Sequence, residues 1–185
     1  MHKFRPWVVG LGLLAVVILW VANAFNAFIA AEEEVDTAWE QVENQYQRRA
    51  DLAIGLVAGV KPYVPKEQGV LDAVTDARAK AVEIMVDPAI DSPEQLEAYG
   101  SAQAQLGTAL DQLIALADDC SELKADEHFQ TLRGQLVGIE NRIEDACLNF
   151  NQLTYKYNRM TRRFPNNIWA KVFGFELKPF YEEKN

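Results

Sequence analysis

Between Trp7 and Phe25 the chain places 19 residues with no charged side chain and a single carboxamide, Asn23. About 20 such residues cross a hydrocarbon core of about 30 Å. This run constrains the chain more than any other feature. It predicts a single-pass membrane anchor built on Trp7, Leu13, Leu14, Ile18, Trp20 and Phe25. Trp7 and Trp20 are spaced like interfacial aromatics. Lys3 and Arg5 lie before the run, and Glu32, Glu33, Glu34 and Asp36 after it. Lys and Arg decide orientation, so residues 1–6 are expected in the cytoplasm, 7–29 as an uncleaved signal anchor, and the rest outside. The competing reading is a cleaved signal peptide, with Ala22-Asn23-Ala24 as the processing site. Against it, the apolar pattern continues through Phe25, Phe28 and Ile29 with no Gly or Pro to interrupt it.

The remainder reads as helix. Val35, Trp39, Val42, Tyr46, Ala50, Ala53, Val57, Val60 and Val64 recur in steps of three and four, and Pro62 and Pro65 close that face. A second face runs from Leu71 to Met85, ahead of Asp87-Pro88. Ser92-Pro93-Glu94-Gln95 has the form of a capping box with proline at the first helical position. A third face runs from Leu96 to Ala117, and a polar connection from Asp118 to Lys124. The fourth is a heptad seam: Phe129, Leu136, Ile143, Phe150, Tyr157 and Phe164, interleaved with Leu132, Ile139, Ala146, Leu153 and Met160. No segment alternates with period two. The expected fold is all-α: a transmembrane helix continuing into an antiparallel up-down-up-down four-helix bundle over 30–165, followed by a tail over 166–185.

The residues Gln45-x-x-Arg48-Arg49-x-Asp51-Leu52 and Leu56-Val57-x-x-Val60-Lys61-x-Tyr63 resemble the opening block of the LemA family. The likeness continues through Val74-x-x-Ala77-Arg78, Leu123-Lys124-Ala125, Glu140-Asn141-Arg142-Ile143, Asn151, Tyr157-Asn158, Phe164-Pro165 and Phe173-Gly174-Phe175. It covers roughly residues 25–182, in order. Cys120 and Cys147 depart from it, standing where an aromatic or proline and an arginine are usual. The resemblance implies a membrane-anchored bacterial protein with a helical-bundle domain; with the orientation read from Lys3 and Arg5, the bundle is expected at the inner membrane, facing the periplasm. It brings no mechanism. The partner it points to is another envelope or membrane protein, a membrane protease among the candidates. Self-association stays open.

Much chemistry is unprovided for. With 18 Lys+Arg against 27 Asp+Glu, the net charge of −9 argues against nucleic-acid binding. Two histidines, His2 and His128, and two cysteines supply neither a metal site nor a catalytic triad. No catalytic residue, metal or cofactor is expected. Gly55, Gly59, Gly134 and Gly138 lie within helical patterns, where close approach of helices is their simplest explanation.

The most informative constellation is polar. Counting the helices back from their turns at 1.5 Å per residue brings Arg49, Arg78, Gln103, Glu140 and Asn141 to one height. Both arginines sit on core-facing seams, so Glu140, helped by Glu144 or Asp76, is expected to neutralise them. A structural layer that fixes register is the first reading. A small-ligand or peptide site is the second. The same topology brings Arg159, Arg162 and Arg163 toward Glu32, Glu33 and Glu34. The aromatic tail, with Trp169, Phe173, Phe175, Phe180 and Tyr181, then either meets the bilayer interface or packs back along the bundle. The function expected is an extracytoplasmic scaffold or adaptor. The alternative is a sensor of a small anion or peptide at the polar layer.

Overall fold

The computed structural model describes residues 6–85 and 92–182. Lys3 and Arg5, on which the orientation rests, lie outside them, as do His2 and the segment carrying Asp87-Pro88. All regular structure among the described residues is helical: α1 (Pro6–Val60), α2 (Gln68–Met85), α3 (Pro93–Asp118), α4 (Ser121–Ala125), α5 (Glu127–Arg162) and α6 (Asn166–Phe173). The chain divides into two compact units. Unit 1 is Met1–Thr37 with Gln152–Lys178, and unit 2 is Ala38–Asn151 with Pro179–Asn185.

Unit 2 holds four long helical stretches. Arg49 on α1 bonds Gln103 on α3 and Glu140 on α5, and Arg78 on α2 bonds the Ala50 carbonyl on α1. Gly55 and Gly59 of α1 face Leu132 and Phe129 of α5, so α5 descends as α1 rises. Tyr46 lies against Tyr99 as Arg49 meets Gln103, so α3 runs parallel to α1. That is the up-down-up-down order. The reason is the seam. Ala50, Ala53, Leu56 and Val60 of α1 bury with Leu106, Leu110, Leu113, Phe129 and Leu136, leaving the polar faces outside.

The ends of the helices follow local chemistry. Ser92 accepts from the Gln95 backbone N–H at 3.2 Å, and the Gln95 side chain accepts from the Ser92 N–H at 3.2 Å, completing the capping box before α3. Asp126 Oδ1 accepts from the Phe129 N–H at 2.7 Å at the start of α5. The connection read as polar contains α4, whose Leu123 is fully buried.

Gly134 and Gly138 differ from expectation. A Cβ at either position would meet nothing within 4 Å, so close helix approach does not explain them. Glycine costs about 1 kcal/mol relative to alanine inside a helix. Gly134→Ala and Gly138→Ala are each expected to stabilise the protein by up to about 1 kcal/mol. Thermal unfolding followed by circular dichroism checks this, and a drop in melting temperature would show that the open face is needed.

In unit 1, the first part of α1 exposes Leu11, Leu13, Leu14, Val16, Val17, Ile18 and Leu19. α1 is the one described helix long and apolar enough to cross a membrane. The seam of α5 ends one position early. The helix stops at Arg162, and Phe164 is 75% exposed, because the chain has already left the helical path. α6 closes on Gly174, whose φ of 79° lies in the left-handed region and whose N–H reaches the Ala170 carbonyl.

Candidate functional site

The polar layer lies in unit 2 and centres on Arg49, which is 4% exposed. Its Nη2 donates to the Gln103 backbone carbonyl at 2.7 Å and to Gln103 Oε1 at 3.0 Å. Its Nη1 donates to both oxygens of Glu140 at 3.3 Å. The guanidinium also lies over the Tyr46 ring, 4.9 Å from its centroid. Three helices thus meet on one buried cation. Glu140 approaches it from solvent, its side chain 41% exposed. The 3.3 Å contacts are longer than the 2.7–2.9 Å usual for a charge-assisted bond.

Two of the five residues share this height but do not join the layer. Arg78 is only half-buried. Its Nε donates to the Ala50 carbonyl at 2.7 Å and its Nη2 stands 3.8 Å from Asp51. The residue that α2 turns into the core is its neighbour Ala77. Asn141 is exposed, one residue and so about 100° around α5 from Glu140. Glu140 therefore neutralises one arginine, not two, and neither Glu144 nor Asp76 joins the layer.

Over Arg49 opens a cleft of about 290 Å³ whose lining includes Tyr46, Gln103, Gly107, Glu140 and Tyr181. Asp111 adds a second carboxylate to it. The end at Tyr181 corrects an expectation: this residue is not interfacial but 2% exposed, at the heart of unit 2. Its hydroxyl is 2.8 Å from that of Tyr46. Its ring meets Trp39, Tyr46 and Tyr99 edge-on at 5.5, 6.3 and 6.1 Å. Asn151 fixes its backbone twice, donating Nδ2–H to the Tyr181 carbonyl at 2.8 Å and accepting the Tyr181 N–H at 2.9 Å. Burial raises the Tyr99 phenol far above its ordinary value, with Glu43 adding to the effect. Burial also raises Glu43, with the Glu40 charge adding to the effect.

Unit 1 repeats the amide device. Asn158 accepts the Lys178 N–H at 2.9 Å and donates to its carbonyl at 2.8 Å. The Lys178 ammonium then reaches Asp36 at 2.6 Å and Glu32 at 3.5 Å. The cation beside this acidic run is thus Lys178 and not the expected Arg159, Arg162 and Arg163, which are exposed. The Tyr157 phenol is pushed up to about 12, first by burial and then by Glu32, Asp36 and Glu176. Of the other tail residues, Trp169 meets Trp20 at 5.6 Å, Phe173 meets Phe25 at 5.0 Å, and Phe175 stacks on Phe28 at 4.7 Å. Phe180, in unit 2, is exposed. Among the described residues no cluster of three His, Cys, Asp or Glu could hold a metal, and Cys120 and Cys147 are not joined in a disulfide.

The fold and this layer define an all-helical protein that carries a long apolar N-terminal helix and a bundle crossed by one buried arginine. The chain belongs to the LemA family, whose profile matches residues 38–185. It is 24% identical over 177 residues to the magnetosome protein MamQ of Magnetospirillum gryphiswaldense. Two MamQ proteins of Paramagnetospirillum magneticum match at the same identity. In each case the match covers 86% of this chain and 65% of the relative's length.

Proposed function

We propose that this protein is a membrane-tethered bundle acting as a non-enzymatic scaffold or adaptor for another envelope protein, with its N-terminus in the cytoplasm and its bundle outside. The observation that carries the reading is α1. One 55-residue helix bears the exposed apolar segment at its start and supplies a bundle helix at its end. A tether joined to a recognition domain without a flexible linker suits a protein that presents a surface at a membrane. The matched relatives are named as magnetosome proteins, which supports association with a larger assembly. A photo-crosslinking residue in place of Val137, exposed on α5, tests it in intact membranes. A discrete adduct with one membrane protein is expected. An adduct of twice the chain's mass would make self-assembly the function, and the absence of any adduct from the bundle would remove the adaptor.

The cleft over Arg49 favours a second reading, a sensor of carboxylate-bearing solutes or peptides. Glu140 would act there as an internal stand-in, loosely bonded and free to swing into water. N-acetylglycine is a minimal probe. It should raise the melting temperature of the parent and not that of Arg49→Gln; equal shifts in both would end this reading.

A further inference from the structure

α6 presents two apolar faces, and α1 covers only one. Trp169 and Phe173, four residues apart, turn to Trp20 and Phe25 of α1, and Ala170 is buried beside them. Ile168 and Val172, also four apart, point away and are exposed, as are Phe164 before the helix and Leu177 after it. Arg162, Arg163 and Lys171 border them, also exposed. Exposed apolar side chains scattered singly need no explanation, but a continuous face does. The part of α1 that precedes Trp20, which bears Leu13, Leu14, Val17 and Ile18, is equally uncovered. The aromatic contacts place α6 beside the last turns of the apolar run, between Trp20 and Phe25. Residues at that level of a spanning helix lie near the boundary between acyl chains and headgroups.

We propose that α6 is a second membrane-contacting element, seated at the bilayer surface beside the outer end of α1. Ile168 and Val172 enter the acyl region, and Arg162, Arg163 and Lys171 meet anionic headgroups. Short amphipathic helices with basic borders bind interfaces in this way. The occupant is lipid rather than protein because α6 packs on α1 at the end of an apolar stretch that would itself be exposed to lipid. The proposal rests on the reading of α1 as a membrane span.

The test uses the full chain with Cys120 and Cys147 replaced by alanine, in vesicles of phosphatidylethanolamine and phosphatidylglycerol. Spin labels are placed singly at Val172→Cys and, as a second site, Ile168→Cys. Leu13→Cys and Val137→Cys serve as references. Far-UV circular dichroism selects the labelled variants that fold. Labels at 172 and 168 should be relaxed more by oxygen than by a water-soluble nickel chelate, as at position 13, and position 137 should show the reverse. If 172 and 168 behave like 137 while 13 remains in lipid, α6 is not interfacial and the span stands. If 13 is also in water, the span fails and the proposal falls with it. Dipolar broadening at 172 that disappears on dilution with unlabelled protein would assign the face to a second copy and overturn the lipid assignment.

Discussion

Glu140→Ala is expected to destabilise the protein by about 2–3 kcal/mol, and Arg49→Leu by less, although Arg49 makes more bonds. The asymmetry follows from burial. Removing Glu140 strands a cation that is 4% exposed, whereas removing Arg49 leaves a carboxylate whose side chain is 41% exposed and can hydrate in place. Stranding a buried charge typically costs about 3–5 kcal/mol. The lower figure applies here because Arg49 keeps two acceptors on Gln103 and borders a cleft that admits water. Arg49→Leu leaves Gln103 Oε1 without its donor, about 1–2 kcal/mol. The double change Arg49→Leu, Gln103→Leu should recover part of that loss, since a well-packed apolar replacement can match a buried ion in stability. At about 2–4 °C per kcal/mol, Glu140→Ala should melt roughly 5–10 °C below the parent. A larger fall for Arg49→Leu than for Glu140→Ala would show that the cation is not the group at risk.

The sequence made this layer partly legible, and its two failures have one cause. Counting residues from the turns fixes height along a bundle, and height brought Arg49, Gln103 and Glu140 together correctly. It says nothing of azimuth, and 100° per residue separates a core position from a surface one. Asn141 follows Glu140 and faces water. Arg78 follows the buried Ala77, so its guanidinium reaches the surface beside Asp51. The long seams were readable because burial repeats over many turns. Two short helices were not: α4 has one buried apolar residue, Leu123, to betray it, and α6 has too few turns to show a period. The tail was the least readable part. What docks its backbone is not a side-chain pattern in the tail but two asparagines on α5. Asn151 and Asn158 stand seven residues apart, each holding both the N–H and the carbonyl of one tail residue. Paired amides at heptad spacing on a bundle helix are the signal that could have found them.

The largest loss is expected from Tyr181→Ala, about 3–4 kcal/mol, although only four residues of the given sequence follow it. Truncating a buried aromatic to alanine costs about 3–5 kcal/mol through lost transfer energy and the cavity left behind. Here the cavity would open among Trp39, Tyr46 and Tyr99, rings that pack edge-on around Tyr181. The hydroxyl is the smaller part. Tyr181→Phe keeps the ring and removes the bond to Tyr46, about 1 kcal/mol. Asn151→Ala keeps the ring but breaks both backbone bonds, so it should fall between the two. The approach is close: a Cβ at Gly100 would stand 3.3 Å from the Glu182 carbonyl, so Gly100→Ala should also loosen this segment. Thermal melts rank the variants, and chymotrypsin cleavage after the exposed Phe180 reports release of the tail. Cleavage should rise sharply in Tyr181→Ala, rise moderately in Asn151→Ala and change little in Tyr181→Phe. If Tyr181→Ala melts with the parent while its tail is cut freely, the segment is a docked appendage rather than part of the core, and the aromatic cluster is stable without it.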